Sequence, residues 1–164
     1  MTKTMLRLLL LLPCLCLLAA CSSPPTYFQA AQPSSPDRGL VYLYRPEAPN
    51  PGLQPLSSQY PVIMLDGRSV GILKLDKYFP IELEAGQHSI LVTGMVAPAD
   101  WEIADIKQNF SLAPGEVKYL KLDVQFRLDD MAFGDASAKY QIFLTPMNSS
   151  TAVGEIRHTE LRRL

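Results

Sequence analysis

Cysteine is nearly absent from this 164-residue chain, which has Cys14, Cys16 and Cys21 and none beyond them. Residues after Cys21 can therefore form no internal disulfide, and a metal site there would have no thiolate to draw on. Histidine is almost as scarce: His88 and His158 are the two in the chain. A zinc site would have to take most of its ligands from carboxylates. Charge is balanced, with 15 Lys and Arg against 16 Asp and Glu for a formal net charge of −1, so there is no electrostatic footprint for nucleic acid. No glycine-rich loop followed by a helix marks a nucleotide-binding α/β fold, and no Gly-x-Ser-x-Gly motif presents a serine nucleophile. Fourteen prolines and nine glycines argue for many short elements, against a long-helix bundle, a coiled coil or a multispan membrane protein.

What the chain does carry begins at its N-terminus. Lys3 and Arg7 precede an apolar run from Leu8 to Ala20, thirteen residues long. A membrane-spanning helix needs about 20 such residues and a signal-peptide core about 7 to 15, so length and positive flank favour a signal peptide over residues 1–20. Leu18-Ala19-Ala20-Cys21 resembles the lipobox of bacterial lipoproteins. The resemblance implies cleavage between Ala20 and Cys21, diacylglycerol on the Cys21 thiol and an acyl chain on its freed amine. Pro13 and Leu15, neither of them small, precede Cys14 and Cys16 and exclude both from that role. A plain secreted protein cut after Ala20 and an uncleaved anchor helix are the competing readings. Two or more acyl chains anchor stably where one binds marginally. Ser22, as a residue other than Asp, implies by the same resemblance transfer to the outer membrane, facing the periplasm, with inner-membrane retention as the alternative.

Residues 21–38 are expected to be the lipidated cysteine and a flexible tether, with Pro24, Pro25, Pro33 and Pro36 among small polar residues. Only Tyr27 and Phe28 there have much surface to bury. Loss of Lys3 and Arg7 with the signal takes the formal charge from −1 to −3, so the domain should hang from an anionic membrane rather than lie on it.

From Gly39 to Leu164 the pattern is that of an all-β domain, an antiparallel β-sandwich of about seven to eight short strands. The run 40–44 is β-branched and aromatic. Asp66-Gly67 between 62–65 and 68–73 is a type I′ hairpin signal that would pair Leu65 with Arg68 and Ile63 with Val70, putting Ile63, Val70 and Ile72 on one face. Phe79, Ile81 and Leu83 alternate with Glu82 and Glu84. Ala85-Gly86 then reverses the chain into 87–92, which predicts a second hairpin with His88, Ile90 and Val92 on the inner face. Residues 109–112, Ala113-Pro114-Gly115 and 116–124 predict a third. A strand is expected over 139–144, and a short helix or tail over 153–164.

Several of these stretches resemble the domain-of-unknown-function 2846 family of bacterial lipoproteins. They are Leu40-Val41-Tyr42-Leu43-Tyr44-Arg45-Pro46, Leu65-Asp66-Gly67-Arg68-Ser69-Val70-Gly71, Tyr78-Phe79, Glu84-Ala85-Gly86-Gln87-His88, Leu112-Ala113-Pro114-Gly115-Glu116 with Tyr119, and Gly154-Glu155-Ile156. The resemblance runs from about Gly39 to Leu164. It implies a scaffold and transfers no catalytic or ligand residue. The segments 47–60 and 95–105 are longer than its compact form.

Chemistry-bearing residues are few. His88 reads as a hydrogen-bonded rim histidine ahead of a general base, and His158 as solvated. Ser111 and Ser149 with His88 have no triad spacing. Asp129, Asp130 and Asp135 form one acidic cluster, but Met131 and Phe133 interrupt the spacing a calcium loop needs. Trp101 is the only tryptophan: it either plugs an end of the sandwich or contacts a sugar ring or a partner. The proline-rich segment with Pro49, Pro51 and Leu53 is a second candidate contact. The expectation is a nonenzymatic envelope lipoprotein without cofactor or metal, held to the membrane by acyl chains on Cys21 and binding another envelope protein or serving a structural role. Glycan or peptidoglycan binding is the alternative, and a hydrolase with an unrecognised site comes third.

Overall fold

Residues 40–44 are apolar at every position, and an uninterrupted run of that kind suits a strand covered on both faces. The computed structural model describes residues 28–47, 60–93, 95–96, 99–100, 105–126 and 140–161. Among them the elements in chain order are β1 (Arg38–Arg45), β2 (Val62–Leu65), β3 (Arg68–Ile72), β4 (Lys77–Glu84), β5 (Gly86–Thr93), β6 (Met95–Val96), β7 (Ala99–Asp100), β8 (Ile106–Leu112), β9 (Val117–Phe126), β10 (Tyr140–Met147), helix α1 (Ser149–Ile156) and β11 (Glu160–Leu161).

Five strands in the order β10-β9-β1-β4-β11 face four in the order β3-β2-β5-β8, while β6 and β7 form a separate short ladder. This is the expected β-sandwich. Its pairings are antiparallel except for β1 with β9 and β4 with β11, which are parallel. Alternation along the strands fills the space between the sheets. Val41, Leu43, Phe79, Ile81, Leu120, Leu122 and Leu144 from the larger sheet meet Ile63, Leu65, Ile90, Val92, Phe110 and Leu112 from the smaller. Gly39 of β1 makes room for the Leu112 side chain of the opposing sheet: a Cβ there would stand 2.5 Å from Cγ of Leu112.

Two of the three expected hairpins are corrected. β4 pairs with β1 in the larger sheet and β5 with β2 and β8 in the smaller, so Ala85-Gly86 is a corner between sheets. Likewise β8 belongs to the smaller sheet and β9 to the larger, and Ala113 to Glu116 forms the second corner. Backbone bonds draw both corners to the start of β1: Ala85 N–H donates to Asp37 O (3.0 Å), and Gly115 N–H donates to Arg38 O (2.8 Å). The inward faces expected for β4 and β5 hold, because two strands joined by a corner and two joined in a hairpin both turn their apolar side to the same core.

The β2–β3 hairpin forms around Asp66 (φ 48°) and Gly67 (φ 77°), as a type I′ turn requires. Its register is corrected beyond Met64. A bulge pairs Ile63 with Gly71 in place of Val70, so Ile72 falls opposite Val62 and Leu73 is the fully buried residue. The helix also starts earlier than expected. Asn148 caps it, accepting the Thr151 N–H at 2.9 Å, and it ends at Ile156 so that Arg157 stays off its buried stripe of Ala152 and Ile156. Pro146 is accommodated because β10 ends its sheet.

Candidate functional site

The outer face of the larger sheet, away from the sandwich core, is aromatic. Leu40, Tyr42, Tyr44 and Tyr119 form a buried layer with Ala152 and Ile156 of α1, and Phe28, Ala30 and Tyr78 pack against it. Tyr42 stacks on Tyr119 at 5.4 Å between ring centroids and receives Phe28 edge-on at 5.1 Å. The ring of Tyr44 is fully buried, and its hydroxyl donates to Glu155 Oε2 of α1 at 2.7 Å. Glu155 Oε1 accepts from Lys121 Nζ of β9 at 2.8 Å. Burial, and then the Glu155 carboxylate, push the Tyr44 hydroxyl far above the usual tyrosine range, so it stays a donor. The helix is thus fastened to the sheet by a tyrosine, a glutamate and a lysine, with its apolar stripe beneath. Tyr44 was legible as a strand residue, but its link to Glu155, 111 positions away, carries no local signal.

The same face receives part of the segment 21–38. Within the segment expected to be a tether, residues from Phe28 onward contact the sheet. Besides the Phe28 contact, Ala31 N–H donates to Tyr42 Oη at 2.8 Å, and Ser34 donates to Glu82 Oε1 from its backbone N–H at 2.6 Å and also from its hydroxyl.

His88 sits two residues past the Ala85-Gly86 corner, beside the β2–β3 turn. Its Nδ1 is 2.8 Å from Asp66 Oδ2 and its Nε2 is 2.8 Å from the Glu84 carbonyl oxygen. Both partners are acceptors, so the arrangement favours the protonated ring, which can donate from both nitrogens. Burial lowers the His88 pKa, but the bonds to Asp66 and Glu84 outweigh it and leave it above the ordinary 6.5. The Ser89 N–H, donating to Asp66 Oδ1 at 2.8 Å, and then His88 hold the Asp66 carboxyl below its usual range. Aspartate beside histidine is the base half of a nucleophilic triad, yet a general base needs a free lone pair on the second nitrogen. Here that nitrogen gives its proton to a carbonyl, and the group braces three segments, as expected for a rim histidine. Ser111 is an exposed residue of β8 and Ser149 an exposed residue at the start of α1; neither is a hydrogen-bond partner of His88 in this arrangement.

At the far end of β1, Arg45 is only 2% exposed, and burial draws its guanidinium pKa down to about 10, so it remains charged at neutral pH. Phe143 of β10 is 42% exposed and Leu161 51%, the large apolar side chains that the described surface presents most openly. His158 is exposed in the turn after α1. Among the described residues no three His, Cys, Asp or Glu side chains lie close enough to hold a metal ion, and no helix is long and apolar enough to cross a membrane. Ala20, Cys21, Pro49, Pro51, Leu53, Trp101, Asp129, Asp130 and Asp135 lie outside the described residues. No family model, no curated protein and no solved structure matches the chain.

Proposed function

We propose that this chain is an envelope lipoprotein, anchored through acyl groups on Cys21 in the outer membrane and facing the periplasm, whose sandwich holds another envelope protein rather than performing catalysis. The observation that carries the reading is the order of Lys3 and Arg7, a thirteen-residue apolar run and Leu18-Ala19-Ala20-Cys21 ahead of a domain whose first strand begins at Arg38. The resemblance to the domain-of-unknown-function 2846 family is in keeping with it. The arrangement of His88 is in keeping with it, because among the described residues the Asp66–His88 pair has an acceptor at each ring nitrogen. Contact with a partner is assigned to the margin of the larger sheet, where Phe143 stands exposed on β10, the terminal strand among the described residues, and to the sequence segments carrying Pro49, Pro51, Leu53 and Trp101. A margin strand offers unpaired backbone groups, and an exposed aromatic offers an anchor.

Photo-cross-linking in intact cells from a probe at position 143 tests the partner half of the proposal. A discrete protein adduct, lost when residues 47–60 are trimmed or in Trp101→Ala, is expected. Adducts only with peptidoglycan would move the assignment to glycan binding, and no adduct would remove the holding role. For the anchor half, Cys21→Ser is expected to abolish lipid labelling and to block processing. Normal labelling of that variant would refute the anchor.

A further inference from the structure

The first docked stretch after the acylated terminus is held differently from everything that follows it. Residues 28–36 belong to no strand, and Gln29, Ala31, Gln32, Ser34 and Pro36 are exposed. Two fastenings hold the stretch. At its start the Phe28 ring enters edge-on between Tyr42 and Tyr78, at 5.1 and 5.2 Å, with the Ala31 N–H bonded to Tyr42 Oη. Near its end, Ser34 is bonded to Glu82. By contrast β1, which begins at Arg38, is paired on both sides along most of its length and buried on both faces. A segment with few buried contacts opens locally at far lower free energy than the sheet beneath it.

We propose that residues 28–36 are a detachable strap that gives the anchored domain two reaches from the membrane. The inference rests on the lipoprotein reading for its membrane end and on the contacts above for the strap itself. With the strap docked, the chain between Cys21 and Phe28 spans at most about 20 Å at polyproline rise; with it released, Cys21 to Arg38 spans about 50 Å. Among the described residues, Phe28 is the contact nearest the acyl anchor along the chain. Release leaves the core untouched, because no side chain of the strap enters the space between the sheets. The domain then reaches a partner farther from the lipid without unfolding.

The test uses the full mature protein. A donor dye on Ser149→Cys and an acceptor lipid in phosphatidylcholine vesicles report the distance to the membrane, and hydrogen exchange on the same protein in detergent reports the Ala31 amide. Wild type is expected to protect the Ala31 amide to a degree between that of an unstructured peptide and that of the Val41 and Leu43 amides. Phe28→Ala, and separately Glu82→Ala, are expected to reduce that protection by about tenfold or more, leave the β1 amides unchanged, and lower energy transfer to about half or less. Exchange of Ala31 together with β1, no protection of Ala31 in wild type, or unchanged energy transfer in both variants would overturn the proposal. An unmodified Cys21 by mass would instead remove the lipoprotein reading. In that event the exchange pattern alone decides the strap: a separately opening Ala31 supports it, and common exchange with β1 refutes it.

Discussion

Strand β1 turns Val41 and Leu43 toward the aliphatic side chains of the opposing sheet, and Leu40, Tyr42 and Tyr44 toward a helix and an N-terminal segment. Between the sheets the contacts are carbon against carbon, and the two layers exclude water by shape alone. On the outer side the tyrosine rings of the sheet end in hydroxyls, and two of those hydroxyls reach a partner on the covering element: Glu155 of α1 for Tyr44 and the Ala31 amide for Tyr42. The difference separates stability from attachment. Losing packing between the sheets should destabilise the whole domain, whereas losing a fastening on the outer face should release one covering piece.

The largest effect expected is from Leu120→Ala, which opens a void at a fully buried position between the sheets. Such truncations cost about 2–5 kcal/mol, and urea unfolding should show a single transition moved to lower denaturant with its slope retained. A change confined to part of the molecule would break the comparison. Next comes Gly39→Val, because the added carbons would overlap the buried Leu112 side chain. Overpacking of this kind costs about 1–3 kcal/mol in the same measurement. Tyr44→Phe removes the bond to Glu155 while leaving the ring in place, and a loss of about 1–2 kcal/mol is expected. Its sharper readout is exchange of the α1 amides, which should rise more than those of β5.

The smallest effect is a pH slope. The His88 pKa is raised in the folded protein, so its stabilising contribution is complete below the ordinary value of 6.5 and disappears as pH rises through the raised one. Asp66 is depressed, so its contribution holds above the ordinary 3.8 and is lost as pH falls through the depressed value. Urea midpoints should therefore decline on the alkaline side of pH 6.5, and His88→Gln should flatten that decline. An equal slope in the variant would show that His88 is not the titrating group.

Much of the inner layer was legible from the sequence, because alternation marks which residues face a core. Phe79, Ile81, Ile90 and Val92 needed nothing more. What alternation does not encode is which strand lies beside which. Ala85-Gly86 and Ala113-Pro114-Gly115 are reversals either way, and it is the long-range pairing of β4 and β9 with β1, and of β5 with β2 and β8, that makes them corners between sheets. The bulge after Ile63 was hidden for a similar reason, since Asp66-Gly67 fixes the turn but not the pairing four residues out. On the outer face the signal was weaker still. Proline and small residues from 22 to 38 read as a spacer, and the single Phe28 that docks it becomes meaningful only when Tyr42 and Tyr78 stand side by side. The pairing of His88 with Asp66 likewise joins a turn residue to a strand residue 22 positions away. The candidate contacts at Trp101 and in the 47–60 segment rest on composition alone.

Attachment to the membrane rests on the chemistry of one terminus. Intact-mass measurement of the protein extracted from its native envelope tests that directly. The predicted result is a chain beginning at Cys21 with the added mass of a diacylglyceryl group on the thiol and an acyl chain on the amine. A chain beginning at Cys21 with a free thiol and amine, or one retaining residues 1–20, would contradict it.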